Sequence, residues 1–226
     1  MRYFLIAGEA SGDLHAAHLI AALRQVDAKA EFVGFGGDLM EAAGMRLLRH
    51  YSTLAFMGFV QVALHLPTLL DGLRECKAAI RESRPHAVIF VDYPGFNLRI
   101  AAWVRCHLPI PTIYYIAPKI WAWKEGRIRN IRRDIQMLLS ILPFEKEFFG
   151  GKHHYPIHYV GNPTLDEVEA FREAYAEPRE DFCRRLGLDE HRPLLVLMPG
   201  SRQSEIRANL PRMLRAVALA DPQGLQ

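Results

Sequence analysis

The sequence predicts an α/β fold: a doubly wound parallel sheet, followed by the first βα unit of a second domain of the same kind. Three observations carry that expectation. Short apolar runs, such as Arg2 to Ala7, Ala87 to Val91 and Leu194 to Met198, read as strands buried on both faces. Each run stops at a turn bearing glycine or proline. A helical stretch then follows, and this alternation of strand and helix is the rhythm of a parallel sheet with crossover helices.

Composition bounds the reading. The chain has 226 residues, enough for one large domain and part of another. Apolar residues make up 50% and charged residues 23%, which is ordinary for a globular protein. A net charge of +3 does not by itself call for a nucleic acid. Cys76, Cys106 and Cys183 are far apart and form no C-x-x-C pair. That argues against a disulfide framework or a zinc ribbon, and for a reducing cytosol. The first apolar run, Tyr3 to Ala7, is too short for a signal peptide. No window of about 18 apolar residues is free of charge and proline, so no transmembrane helix is expected.

In order, Arg2 to Ala7 is the first strand, and His15 to Val26 reads as a helix with Leu14, Ala17, His18, Ala21 and Ala22 on one side. Between them lies Gly8-Glu9-Ala10-Ser11-Gly12-Asp13. Such a turn can gather backbone N–H groups around an anion, or it is simply a tight βα turn. It is neither G-x-G-x-x-G nor a P-loop. Glu31 to Gly34 is a second strand, Asp38 to Ala43 a short helix and Arg46 to Leu48 a third strand. Phe56 to Leu66 is apolar on almost every side, and Pro67 permits a fresh helix whose stripe is Leu69, Leu70, Leu73 and Ile80. The all-round apolar part is either wholly buried or a surface for lipid or a partner.

Ala87 to Val91 ends at Asp92, with a turn expected at Tyr93-Pro94-Gly95 and a helix from Leu98 to His107. A carboxylate at the carboxyl end of a parallel strand is placed to act as a base or ligand anchor. It can also merely cap the next helix. Thr112 to Ile116 is the next strand, and it leads into Ala117-Pro118-Lys119-Ile120-Trp121-Ala122-Trp123-Lys124. Aromatic rings beside cations, continued by Arg127, Arg129, Arg132 and Arg133, suit a sugar, a phosphate or a membrane interface. The alternative is a solvated basic helix with its tryptophans in the core, and on charge alone RNA competes. Ile135 to Ile141 and Ile157 to Val160 complete the set of strands. His153, His154 and His158 lack the spacing of ligands on one helix face. Leu165 to Tyr175 and Pro178 to Leu186 read as helices, the latter capped by Gly187. After Arg192-Pro193 comes the strand Leu194 to Met198. The turn Pro199-Gly200-Ser201-Arg202 follows, an arginine at a helix N-terminus that suits a diphosphate.

Seven blocks in this order resemble one family. They are Gly8 to Asp13, Met57-Gly58-Phe59, Asp92 to Asn97, Pro118 to Trp123, Leu142-Pro143-Phe144-Glu145-Lys146, Gly161-Asn162-Pro163 and Pro199 to Arg202. Together they closely resemble the lipid-A-disaccharide synthases. The resemblance implies a GT-B fold of two Rossmann-like domains facing a cleft. It implies transfer of 2,3-diacylglucosamine from its UDP form to 2,3-diacylglucosamine 1-phosphate, with inversion, giving the β-1,6 disaccharide of lipid A and UDP. Neither a metal nor another cofactor is expected. Asp92 matches the family's essential aspartate, and Arg202 its functional arginine. Gly8, Glu9, Ser11, Gly12, Asp13, Asn97, Trp121, Trp123, Asn162, Gly200 and Ser201 complete the expected substrate and UDP site.

Phe56, Met57, Phe59, Val60, Leu64, Leu66, Leu69 and Leu70 become the expected contact with membrane lipids, at the inner face of a Gram-negative inner membrane. A homodimer is left open, and no nucleic acid is expected. Two positions depart from the family: Gly95, where some relatives carry a second aspartate, and Ala10, where threonine is common. Expected boundaries are 1–163 for the acceptor- and membrane-facing domain, 164–191 for linker helices and 192–226 for the start of the UDP-sugar domain. The rest of the nucleotide pocket is expected beyond Gln226, so these 226 residues alone should show little transfer. The rivals are another GT-B enzyme, such as a UDP-N-acetylglucosamine epimerase or a murein glycosyltransferase, and a non-enzymatic RNA-binding module using Lys119 to Arg133.

Overall fold

The computed structural model describes residues 1–53, 66–200, 203–220 and 224–226. Its first unit, Met1–Leu165, is built on a seven-stranded sheet. The strands are β1 (Arg2–Ala7), β2 (Glu31–Gly36), β3 (Arg46–His50), β4 (Ala87–Val91), β5 (Thr112–Tyr115), β6 (Met137–Ser140) and β7 (His158–Tyr159). All pairs are parallel, in the order β3-β2-β1-β4-β5-β6-β7. From β1 the chain winds outward to β2 and β3, then returns to lay β4 on β1's other side. The carboxyl ends of β1 and β4, where Ala7 pairs with Val91, are therefore the point at which the winding reverses. An open α/β sheet has its ligand crevice at such a point.

Helices cover both faces: α1 (Ala10–Val26) and α2 (Asp38–Ala42) one, α3 (Leu66–Ser83), α4 (Pro94–His107) and α5 (Ile128–Asp134) the other. Alternation along β1 divides the core. Phe4 and Ile6 join Phe35, Ile80, Phe90 and Ile100, while Leu5 and Ala7 join Ala16, Ile20, Met40 and Val91. All five residues of β4 are buried, as a central parallel strand requires.

Two helices begin earlier than expected. The first starts at Ala10, not His15, because the glycine turn is itself helical from Ala10. The helix after β4 starts at Pro94, not Leu98; proline suits the first helical turn, and the bend falls on Asp92 and Tyr93 instead.

The second unit, Asp166–Gln226, holds most of α6 (Pro163–Ala174), then α7 (Arg179–Leu186) and α8 (Gln203–Ala220). Gly187 closes α7 in the left-handed region at φ +69°. The expected strand from Leu194 to Met198 does not pair. Among the described residues it has no strand neighbour, only Leu195 N–H donating to the Gln226 carbonyl and Gln226 N–H to that of Pro193. Val196 is 73% and Met198 82% exposed. A parallel strand is a strand only beside another, and a single βα segment cannot supply one.

Candidate functional site

The crevice at the reversal is built by two short segments, Gly8–Asp13 after β1 and Asp92–Asn97 after β4. Gly8 is buried, and a side chain there would put its Cβ 2.3 Å from the Tyr93 ring, so the aromatic face lies directly on the glycine backbone. Burial, reinforced by the charge of Glu9, pushes the Tyr93 phenol above its ordinary pKa. Glu9 holds the N-cap position of α1, and Ala10 and Ser11 are exposed at its first turn. Gly12 packs α1 against the sheet: a Cβ there would lie 3.4 Å from that of Ala7. The helix's first amides thus sit where an anion can meet them.

Asp13 faces inward. Its carboxylate accepts hydrogen bonds from the backbone N–H groups of Gly37 (2.8 Å), Leu39 (3.1 Å) and Met40 (3.1 Å). It is therefore the cap of α2, supplied from another helix, and its oxygens are engaged there.

Asp92 is held in an unusual backbone state. Asp92 and Tyr93 have φ of +46° and +47°, and Ile116, at the end of the neighbouring β5, has φ of +65°. Left-handed conformations of this kind cost on the order of 1–3 kcal/mol each and gather at functional sites. The surroundings hold the bend. Asn97 Nδ2 (2.7 Å) and the Tyr114 hydroxyl (2.5 Å) both donate to the Asp92 carbonyl, and Asp92 N–H donates to that of Tyr115 at 3.2 Å. Tyr114 is fully buried, and that burial, with Asp92's charge beside it, pushes its hydroxyl well above the ordinary range. Asn97 is fully buried as well, so it acts on Asp92 from beneath. The cap position of α4 falls to Tyr93, and Asp92, at the carboxyl end of β4, is half-buried.

The loop after β5 carries the tryptophans. Trp121 is 38% exposed, its Nε1–H donates to Glu145 Oε1 at 3.0 Å, and its ring meets Phe144 edge-on with centroids 4.9 Å apart. Trp123 is 56% exposed, with Lys124 Nζ 4.1 Å above its ring. The arginines that follow are brought together. Arg129, Arg132 and Arg133, with Ile128, line a pocket of about 310 Å³ on α5.

Other expected positions are placed differently. Asn162 Oδ1 accepts from Thr164 N–H at 3.1 Å, an N-cap for α6. Gly200 has φ of +120°. Ser201 and Arg202 lie outside the described residues, as do Phe56, Met57, Phe59, Val60 and Leu64. Leu66 stands at the start of α3. Leu69 is partly buried against the core, whereas Leu70 is 45% exposed. Among the described residues no helix is long and apolar enough to cross a membrane.

Sequence reasoning missed Tyr93, Tyr114 and Glu145. Glu145 stood within a motif quoted above, but only the fold shows that its carboxylate meets Trp121. Tyr114 is one of several apolar strand residues until its hydroxyl is seen under Asp92.

Similarity to known proteins points to one family. A family profile described as Lipid-A-disaccharide synthetase matches residues 3–223. The lipid-A-disaccharide synthase of Myxococcus xanthus (strain DK1622) is 41% identical over 227 residues, covering 100% of this chain and 57% of that protein. That of Syntrophotalea carbinolica is 41% identical over 207 residues, covering 91% and 51%. The chain spans about half the length of these curated relatives. Among solved structures, the UDP-N-acetylglucosamine 2-epimerase of Rickettsia bellii superposes with a TM-score of 0.60 at 11% identity, over 100% of this chain and 68% of that one. A UDP-GlcNAc 2-epimerase from Neisseria meningitidis, bound to UDP-GlcNAc, gives 0.58 at 10% identity, over 86% and 56%. At such identities the likeness is one of fold, and it does not favour the epimerase reading.

Proposed function

The chain belongs to the lipid-A-disaccharide synthetase family, and on that premise we propose that it supplies the acceptor-side half of an inverting glycosyltransferase. The reaction is transfer of 2,3-diacylglucosamine from its UDP form to 2,3-diacylglucosamine 1-phosphate. One observation supports this most: Asp92, bent into the left-handed region at the reversal of the sheet and fixed by Asn97 and Tyr114 through its carbonyl. Those bonds act on the backbone carbonyl and constrain the bend that carries the side chain.

In the proposed reaction the Asp92 carboxylate takes the proton of the acceptor's 6-hydroxyl as that oxygen attacks C1 of the donor sugar. The C1–O bond to UDP breaks on the opposite face, which inverts the anomeric carbon. UDP leaves as an anion, and Arg202 with the amides of Gly200 and Ser201 is assigned its diphosphate. Glu9, Ser11 and the first turn of α1 are assigned to the acceptor side, with Trp121 and Trp123 as faces for sugar rings. Residues 56–70, together with the arginines of α5, are proposed to meet the inner face of a membrane, where each cation near anionic lipid contributes about 1 kcal/mol.

The test is Asp92→Asn in the full-length protein, with both lipid substrates and disaccharide followed by mass. Turnover should fall by about 10²-fold or more, the scale of a lost general base, with the fold kept. A variant as active as the wild type would remove Asp92 from the role. Free epimerised sugar nucleotide in place of disaccharide would return the epimerase reading.

A further inference from the structure

Glu145 is 1% exposed, and no lysine, arginine or histidine pairs with it among the described residues. Burying a carboxylate among neutral groups is costly, and a purely structural site of this size would be filled more cheaply by an apolar side chain. Both oxygens are nonetheless engaged. Oε1 accepts the Trp121 Nε1–H at 3.0 Å, and Oε2 accepts the Ser140 hydroxyl at 2.7 Å. Ser140 is the last residue of β6, so the bond runs from the sheet's carboxyl edge through Glu145 to the indole.

The same loop is tied a second time. Glu125 Oε1 lies 2.7 Å from Lys152 Nζ and 2.9 Å from His153 Nε2, which joins its far end to the π-helical turn Lys146–Lys152. The Lys152 hydrogen bond, foremost, draws the Glu125 carboxyl below its ordinary range. A loop fixed at two points by the segment after β6 presents Trp121 in one orientation, with part of its ring open to solvent.

We infer that Glu145 is a positioning residue for the acceptor sugar: its carboxylate fixes the Trp121 indole so that the exposed part of the ring forms a preset platform at the carboxyl edge of the sheet. This rests on the glycosyltransferase reading above. Glu145 touches no substrate in this scheme; it acts through the ring, whose orientation is set before the ligand arrives.

The experiment uses the full-length protein with Glu145→Leu, Glu145→Gln, Trp121→Phe and the Trp121→Phe/Glu145→Leu double variant. Acceptor KM, donor KM and kcat are measured separately, with near-UV circular dichroism as a report on indole packing. Glu145→Leu should raise acceptor KM by about tenfold, the worth of one charge-assisted hydrogen bond. Donor KM should stay within about twofold. Glu145→Gln should restore most of the loss. Its Oε1 can accept from Trp121 and its Nε2 can donate to Ser140, whose own proton turns to the Leu142 carbonyl at 3.0 Å.

The double variant should be no worse than Trp121→Phe alone, which itself lacks the Nε1–H and should resemble Glu145→Leu. Unchanged acceptor KM in Trp121→Phe overturns the proposal even if Glu145→Leu does not fold. So does an additive loss in the double variant, or an unchanged dichroism band in Glu145→Leu. A wild type that forms no disaccharide overturns the glycosyltransferase reading itself; an active wild type with a silent Glu145→Leu overturns this inference alone.

Discussion

At the site an aromatic ring occupies the space where a side chain at position 8 would go. A methyl group at position 8 would sit 2.3 Å from the Tyr93 ring, well inside contact distance. Gly8→Ala should therefore destabilise by about 1–3 kcal/mol in urea unfolding, as overpacking does, and should disturb Asp92 through its neighbour. Adding Tyr93→Ala should recover part of the loss, since the clash then has no partner. Strictly additive losses would show that the two positions are independent. Asp92 was legible in the sequence because an apolar strand stops there abruptly. Its left-handed backbone was not legible, because that state depends on Tyr114 reaching the Asp92 carbonyl from β5.

α2 has five residues and is too short to hold itself together. It is nucleated from outside, by the Asp13 carboxylate on its first N–H groups. Asp13→Asn keeps one acceptor oxygen and loses the charge, and should cost about 1–2 kcal/mol. Amide exchange should quicken first at Leu39 and Met40; protection unchanged there would remove the cap. Nothing local in the sequence marks Asp13 as a cap, since it sits inside a different helix from the one it caps. The helix after β1 was legible, but not that it takes in the glycine segment from Ala10.

At the start of α3 the structure separates two leucines that periodicity had grouped. Leu69 is packed against the core and Leu70 is half open. Leu69→Ser should lower the melting temperature of the purified chain. Leu70→Ser should leave it unchanged while weakening binding to vesicles of anionic phospholipid, as seen in flotation. Equal effects on both readouts at the two positions would end the distinction. The Leu194–Met198 run shows the limit of pattern reading: its sequence is that of a strand, but pairing is a property of neighbours.

For the whole molecule, one ion pair gives stability a dependence on pH. Arg185 and the Tyr175 hydroxyl draw the Glu177 carboxyl from 4.5 down to about 2. A carboxyl with a lowered pKa stabilises the folded state fully above its unfolded pKa, and that contribution disappears as pH falls through the folded value. The gap in unfolding midpoint between wild type and Glu177→Gln should thus be constant above about pH 5 and close between there and about pH 2. A gap that widens on acidification would contradict the pairing. The parallel sheet was legible from the strand–helix rhythm, whereas the reversal between β1 and β4 shows only in the strand pairing. The tie between Trp121 and Glu145 was not, because it joins loops on two different strands.

The place of β1 in the sheet has a consequence for synthesis. β1 lies between β2 and β4, and Arg2 N–H donates to His86 Nδ1, 84 residues away. On the ribosome β1 and β2 can pair early, but the other edge of β1 stays open until β4 has emerged. For that interval, several seconds at ordinary elongation rates of about 5–20 residues per second, the nascent chain exposes an unpaired apolar edge. The bend at Asp92 waits longer still, because the Tyr114 hydroxyl and Tyr115 carbonyl that hold it arrive with β5. Slowing translation between codons 37 and 91 should lengthen the exposure and raise the fraction of chains captured by chaperones or lost to aggregation.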